Sequence, residues 1–202
     1  MTGPTRILCF AGSARAASLN KRLARAAADA VRAAGATATF ADLADYPMPL
    51  YDGDLETRDG PPEAARRLMI AIASHGGLFI ASPEYNASIP PLLKNSLDWV
   101  SRIRDTGIAA LPTGLDVMKT RIIALGAASP GGTGGMRGLI SVRYMLEMGH
   151  GALVLPDQVL VPRAAAAFSD DGTLSDKDAS DRLTAAMAKL VAITTKLDPV
   201  IA

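Results

Sequence analysis

The sequence predicts a three-layer α/β domain with a parallel sheet at its centre. Three observations carry that prediction. Short apolar runs alternate along the chain with segments of helical periodicity, as parallel strands joined by crossover helices require. Those runs are apolar throughout rather than at every second residue, the pattern of strands covered on both faces. The chain has 202 residues, 49% of them hydrophobic and 20% charged, which is the size and composition of one folded domain spanning 1–202.

The elements follow in order. RILCF at 6–10 is the first strand. Leu19, Leu23, Ala26, Ala27, Ala30, Val31 and Ala34 then recur at helical spacing, and Gly35 stands where a terminating glycine belongs. A weaker strand covers 36–43, and the Pro-, Gly- and Asp-rich stretch 46–62 reads as a long loop. The Pro61–Pro62 pair opens a helix that runs to about His75, with Gly76 and Gly77 ending it. LFIAS at 78–82 is the third strand, 91–103 a helix, 106–118 a loop and 121–129 the fourth strand. A helix spans 136–149, and ALVLP (152–156) and QVLVP (158–162) are two short strands. The last helix begins near Lys177, capped by Ser175 or Asp176. No internal repeat or low-complexity tract is visible.

Composition excludes several function classes. A formal net charge of +1 gives no electrostatic footprint for nucleic acid or an anionic membrane. Four Phe, four Tyr and one Trp do not make a stacking platform for single strands. The lone Cys9 has no disulfide partner and reads as a small buried hydrophobe. His75 and His150 are far apart, fall near helix C-termini, and receive no chemistry; no metal site is expected. The N-terminus has a basic residue, an apolar run and small residues, but the run is too short for the about 7–15 apolar residues of a signal peptide. No stretch approaches the ~18 apolar residues of a membrane span. A soluble, cytoplasmic protein is the expectation.

Three strand ends carry unusual chemistry: GSARAASLN after the first, SPEYNASIPP after the third and SPGGTGG after the fourth. Each alone has a bland explanation, as a capped helix start, a turn and a flexible loop. In a parallel sheet all three lie on one rim, where open α/β sheets bind ligands. The first has no P-loop lysine and lacks the spaced glycines of a dinucleotide fingerprint. Ser13 and Ser18 hydroxyls, the Asn20 amide, free N–H groups at a helix start and the Arg15 guanidinium suit a terminal monophosphate. The amides of Glu84, Tyr85 and Asn86 after the rigid Pro83 suit the edge of a flat heterocycle, with Tyr85 available for stacking. Glycines 131, 132, 134 and 135 allow backbone to approach such a ring. GGTGGMR is not a dinucleotide fingerprint, because Arg137 occupies the third glycine position.

GSARAASLN, SPEYNASIPPLLKNSLDWVSR and SPGGTGG, in this order and spacing over about residues 6–160, resemble the NADPH-dependent FMN reductases, which include quinone and chromate reductases. The resemblance implies a flavodoxin-like fold with a five-stranded parallel sheet. It implies Ser13, Arg15, Ser18, Leu19 and Asn20 for the FMN phosphate. For the isoalloxazine it implies Pro83, Glu84, Tyr85 and Asn86, with Ser129, Gly131 and Gly132 at the ring edge. The implied activity passes hydride from NAD(P)H through bound FMN to quinones, flavins or similar small acceptors, with no catalytic acid or base named. It also implies a homodimer or homotetramer, with the helix bearing Leu92, Leu93 and Trp99 packed across the dimer and MPLYDGDLE near the partner's flavin. A non-enzymatic electron carrier and an FMN-binding regulatory protein are the rival functions on this fold.

Overall fold

Three of the apolar runs form the middle of one parallel sheet in a computed structural model that describes residues 4–108 and 111–197. β1 (Arg6–Ala11), β3 (Gly77–Ala81) and β4 (Ile122–Ala128) are central and almost wholly buried. β2 (Thr37–Ala41) and β5 (Leu153–Val161) are the half-exposed edges, giving the order β2-β1-β3-β4-β5. Helix α1 (Leu19–Ala33) and helix α7 (Lys177–Leu197) cover one face. The other face carries α3 (Glu63–Ala73), α4 (Pro91–Arg102), the short α5 (Asp116–Lys119) and α6 (Met136–Tyr144). Cys9 lies fully buried in the α1/α7 layer, where burial pushes its thiol up to about 12, so it behaves as the inert core residue expected.

Several boundaries move for identifiable reasons. The loop 46–62 contains a two-turn helix, α2 (Gly53–Asp59), nucleated by Asp52, whose carboxylate accepts from the Asp54 and Leu55 N–H groups. It buries no residue, so it left no hydrophobic periodicity to read. The loop 106–118 likewise runs into α5, and its residues 109 and 110 lie outside the described residues. α1 ends as expected: Gly35 adopts φ 85, its N–H reaches the Arg32 carbonyl, and the next N–H reaches that of Val31. α3 stops at Ala73 without glycine, and Gly77 is the first residue of β3. The two short strands at 152–162 are one edge strand, β5, whose pairing with β4 is irregular between Ile123 and Leu125. Pro156 sits in that irregularity and has no N–H for the ladder, which made one strand look like two. The helix over 136–149 relaxes into a π-type turn at Met145–Gly149. Asp176, rather than Ser175, caps α7 by accepting from the Ala179 N–H.

Both histidines do lie at helix ends. His75 follows α3 and bridges the Ala71 carbonyl (2.6 Å) and the Thr39 hydroxyl (2.8 Å), while burial lowers its pKa. His150 ends the π-type turn, and burial lowers its pKa too.

Trp99 corrects the expectation that it packs across a dimer. It is fully buried in its own chain. Its indole N–H donates to the Pro49 carbonyl at 2.8 Å, and its ring meets Tyr51 edge-on at 5.0 Å. Asn95 adds two bonds, donating to the Pro49 carbonyl and accepting the Tyr51 N–H. α4 therefore pins the 49–51 segment and leaves the Leu50 side chain between the two anchors 78% exposed. Trp99→Phe keeps most of the packing and removes the indole donor. It should cost about 1–3 kcal/mol in urea unfolding and speed proteolysis within 46–52; an unchanged unfolding midpoint would show that the bond is idle.

Candidate active site

The chain places β3 beside β1 on the side opposite β2, which makes the β1/β3 boundary a topological switch point. Three backbone hydrogen bonds stitch together four neighbouring strand ends there and beyond, those of β1, β3, β4 and β5. Gly12 N–H donates to the Ala81 carbonyl, Ser82 N–H to Gly126, and Ser129 N–H to Val161. The three singled-out loops thus lie along one rim. They enclose a cleft of about 200 Å³ lined by Ser13, Arg15, Ala17, Ser18, Leu19, Asn20, Pro83, Glu84, Tyr85, Ala128, Ser129 and Pro130. A larger groove of about 630 Å³ lies between α1, α7 and the turn at 170–174. It follows the outer faces of helices and receives none of the three loops, so the smaller cleft is the candidate site.

The first loop enters α1 through Ser18, the N-cap, whose hydroxyl accepts the Lys21 N–H at 3.3 Å. The Leu19 and Asn20 N–H groups have no acceptor within the helix, as at any helix start. Ser13 Oγ accepts the Arg15 N–H at 3.4 Å. The exposed Arg15 guanidinium makes no hydrogen bond or ion pair among the described residues. The Asn20 side chain is committed elsewhere: its Nδ2 donates to the Ala128 carbonyl and its Oδ1 accepts the Ala128 N–H, both at 2.9 Å.

The second loop is held from behind by Glu84. Its carboxylate accepts from both Nε and an Nη of Arg137 (3.0 and 2.5 Å) and from the Gly138 N–H in the first turn of α6. Burial would raise this carboxyl's pKa, but the Gly138 N–H and the Arg137 guanidinium outweigh it and hold the pKa below the usual range. The approach is close enough that a Cβ at residue 138 would lie 3.0 Å from the Glu84 Cα. α6 itself starts from Gly135 at φ 85, turned in against Ala127. Tyr85 and Ser88 exchange backbone hydrogen bonds, closing a tight turn whose central residues Asn86 and Ala87 both have positive φ, 51° and 60°. Tyr85 remains 45% exposed.

Nine of the expected residues therefore meet in the cleft: Ser13, Arg15, Ser18, Leu19, Asn20, Pro83, Glu84, Tyr85 and Ser129. Asn86 occupies the turn at the rim, outside the lining. Gly131 and Gly132 are exposed beyond Pro130 and also fall outside it. The glycines that bring backbone close are Gly135 and Gly138. Sequence reasoning missed Arg137 as the partner of Glu84, and Lys21 and Asp42 beneath the first loop. In the sequence, Arg137 speaks only against a dinucleotide motif, and its partner Glu84 lies 53 positions away.

A cleft at the switch point of an open parallel sheet, beside a helix N-terminus, is the ligand site of the doubly wound α/β proteins. Within that class the chain belongs to the NADPH-dependent FMN reductase family, whose profile matches residues 5–166. It is similar to a quinone reductase of Pseudomonas putida, 31% identical over 166 residues that cover 82% of each chain. Similarity to a quinone reductase of Escherichia coli is 34% identity over 112 residues, 55% of this chain and 58% of that protein. The match thus spans little more than half of that relative. Among solved structures, the FerB NAD(P)H:acceptor oxidoreductase of Paracoccus denitrificans shares the fold, with a TM-score of 0.74, 24% identity and coverage of 95% of this chain and 98% of the other.

The Asn86–Ala87 turn yields a test. Positive φ at both central positions favours Asn-Gly, and Ala in the left-handed region is strained. Ala87→Gly should raise stability by about 0.5–1 kcal/mol in thermal or urea unfolding. A loss of stability would mean that the turn is not strained.

Proposed function

We propose that the chain is a cytoplasmic, FMN-dependent NAD(P)H oxidoreductase that reduces quinones, flavins or similar small acceptors. The observation that carries this reading is the convergence of the first and second loops on one cleft, one side rich in anion donors and the other offering a rigid backbone edge and Tyr85. FMN fits that donor set. Its terminal phosphate would be held by Ser13, Arg15, Ser18, Leu19 and Asn20, the last through its backbone N–H, since its side chain is engaged with Ala128. Its ring would lie against Pro83, Glu84, Tyr85 and Asn86, with Ser129 at the edge and Gly131 and Gly132 farther out. When bound, FMN supplies the hydride chemistry, and the protein binds, orients and shields it. The quinone reductases of Pseudomonas putida and Escherichia coli support quinones as acceptors.

Self-association as a dimer or tetramer belongs to the same proposal. The cleft of one chain, about 200 Å³, is smaller than the roughly 300–1,000 Å³ typical of small-molecule pockets, so one subunit encloses only part of an FMN-sized ligand. Exposed Met136, Ile140, Tyr144 and Met148 form an apolar ridge along α6 and its π-type extension, a better candidate contact than the buried Trp99. Nucleic acid is not among the partners proposed. No helix among the described residues is long and apolar enough to cross a membrane.

Two measurements test the function. Flavin released by heat should co-elute with FMN, and the protein should oxidise NADPH or NADH in the presence of menadione. Stoichiometric FAD would refute the cofactor, and FMN binding without NAD(P)H oxidation would favour an electron carrier. Arg15→Ala removes a charge-assisted contact and should weaken FMN binding roughly ten- to a hundredfold; an unchanged dissociation constant would place the phosphate elsewhere.

A further inference from the structure

Beneath the first loop lies a lysine that nothing in the cleft lining accounts for. Lys21 is only 3% exposed although it stands in the first turn of α1. Its ammonium donates to the Ala14 carbonyl at 3.1 Å and pairs with the Asp42 carboxylate at 2.7 Å. Asp42, just past β2, also caps the short 3₁₀ turn Leu43–Asp45 by accepting the Ala44 N–H. Lys21 is absent from the cleft lining, whereas Ser13, Arg15, Ala17 and Ser18 on the same loop are part of it.

The geometry of the peptide bond gives this brace a direction. In a trans peptide the C=O and the N–H point opposite ways. With the Ala14 carbonyl drawn down to the buried ammonium, the Arg15 N–H of the same peptide must face up, toward Ser13 Oγ, which it reaches at 3.4 Å. That bond is long, so an anion at Ser13 competes for the donor on favourable terms. The same constraint helps set where the Arg15 side chain leaves the loop, together with the Ser18 N–H that donates to the Arg15 carbonyl at 3.3 Å; the guanidinium itself makes no bond among the described residues.

We propose that Lys21, braced by Asp42, is a positioning residue for the flavin phosphate: it holds the Ala14–Arg15 peptide with its N–H and the arginine side chain presented to the cleft. This rests on reading the cleft as a phosphate site. A purely structural role for the ion pair would affect folding and every ligand alike, whereas a positioning role acts on the phosphate alone. Riboflavin, which has the ring and ribityl chain of FMN without the phosphate, separates the two.

The experiment is fluorescence titration of wild-type protein, Lys21→Met and Asp42→Asn with FMN and with riboflavin. Wild-type protein should prefer FMN at least about tenfold, the weight of one charge-assisted contact. Lys21→Met should shrink that preference roughly tenfold, with riboflavin affinity unchanged within about twofold. Asp42→Asn should shrink it in the same direction by a smaller factor, and it answers the question if Lys21→Met does not fold. Equal weakening of both flavins, or an unchanged preference in a folded variant, overturns the positioning role while leaving the phosphate site standing. No preference in wild-type protein overturns the phosphate site itself, and the role of Lys21 with it.

Discussion

Two hydrogen bonds between one side chain and the backbone of one residue set the geometry on which the cleft depends. Asn20, in the first turn of α1, both donates to and accepts from the backbone of Ala128 at the end of β4. The two residues lie 108 positions apart, one in the helix that follows β1 and the other at the end of β4, the two strands that flank β3. The link joins the start of the first helix to the loop after the fourth strand, across the end of the third. Both polar groups of the side-chain amide and both backbone groups of Ala128 are used, and the residues are buried, so breaking the link would leave groups that water cannot easily reach. The rim cannot open between the first and third loops without losing both bonds.

The same economy recurs around the cleft. Ser18 is occupied by the Lys21 N–H, Ser13 by the Arg15 N–H, Ser129 by the Gly131 N–H, and Glu84 by Arg137 and Gly138. Side chains that look like ligand donors act first as struts for the backbone. Serine hydroxyls that accept one bond here can still donate another. Glu84 cannot, because a carboxylate held ionised by Arg137 and an N–H has no proton to give. Donation to a ligand thus falls mainly to backbone N–H groups, the serines and Arg15. Backbone donors fixed by struts need little reorganisation when a ligand arrives, and the left-handed Asn86 and Ala87 suggest that some stability is spent to fix them.

The legibility of the chain follows from this division. Central strands were readable because burial on both faces demands unbroken apolar runs, as in β3 and β4. The rim was readable because the three loops follow strands that prove to be β1, β3 and β4, neighbours in the sheet. α2 was not, since it buries no residue fully and is held by the Asp52 cap and by Glu56, whose partner Arg102 lies 46 positions away. β5 read as two strands because Pro156 breaks its ladder but not its direction. The roles of Asn20, Glu84 and Lys21 depend on partners 108, 54 and 21 positions away, and no local spacing encodes them. Trp99 was misjudged for the same reason. Its helix is amphipathic, and only the fold shows that the 46–52 segment, fastened by Asn95 and Trp99, covers that side of it.

A site built from backbone donors and one arginine has little in it that titrates near neutral pH. His75 and His150 stand at helix ends with burial favouring their neutral forms, and neither lines the cleft. Glu84 is held ionised, with its pKa below the ordinary carboxylate range. Cys9 is buried with its thiol pushed up to about 12. General acid–base catalysis needs a group whose pKa lies near the working pH, within reach of the substrate. The cleft contains no histidine or cysteine to serve. It is built to hold a molecule in one orientation, and it suits chemistry that resides in the bound group. On the proposed reading the division of labour is that of a flavoprotein: the cofactor would bring reactivity, and the chain would supply a rim of N–H groups, one arginine and a tyrosine face. The struts that fix this rim are tied to the ends of the strands that the sheet aligns.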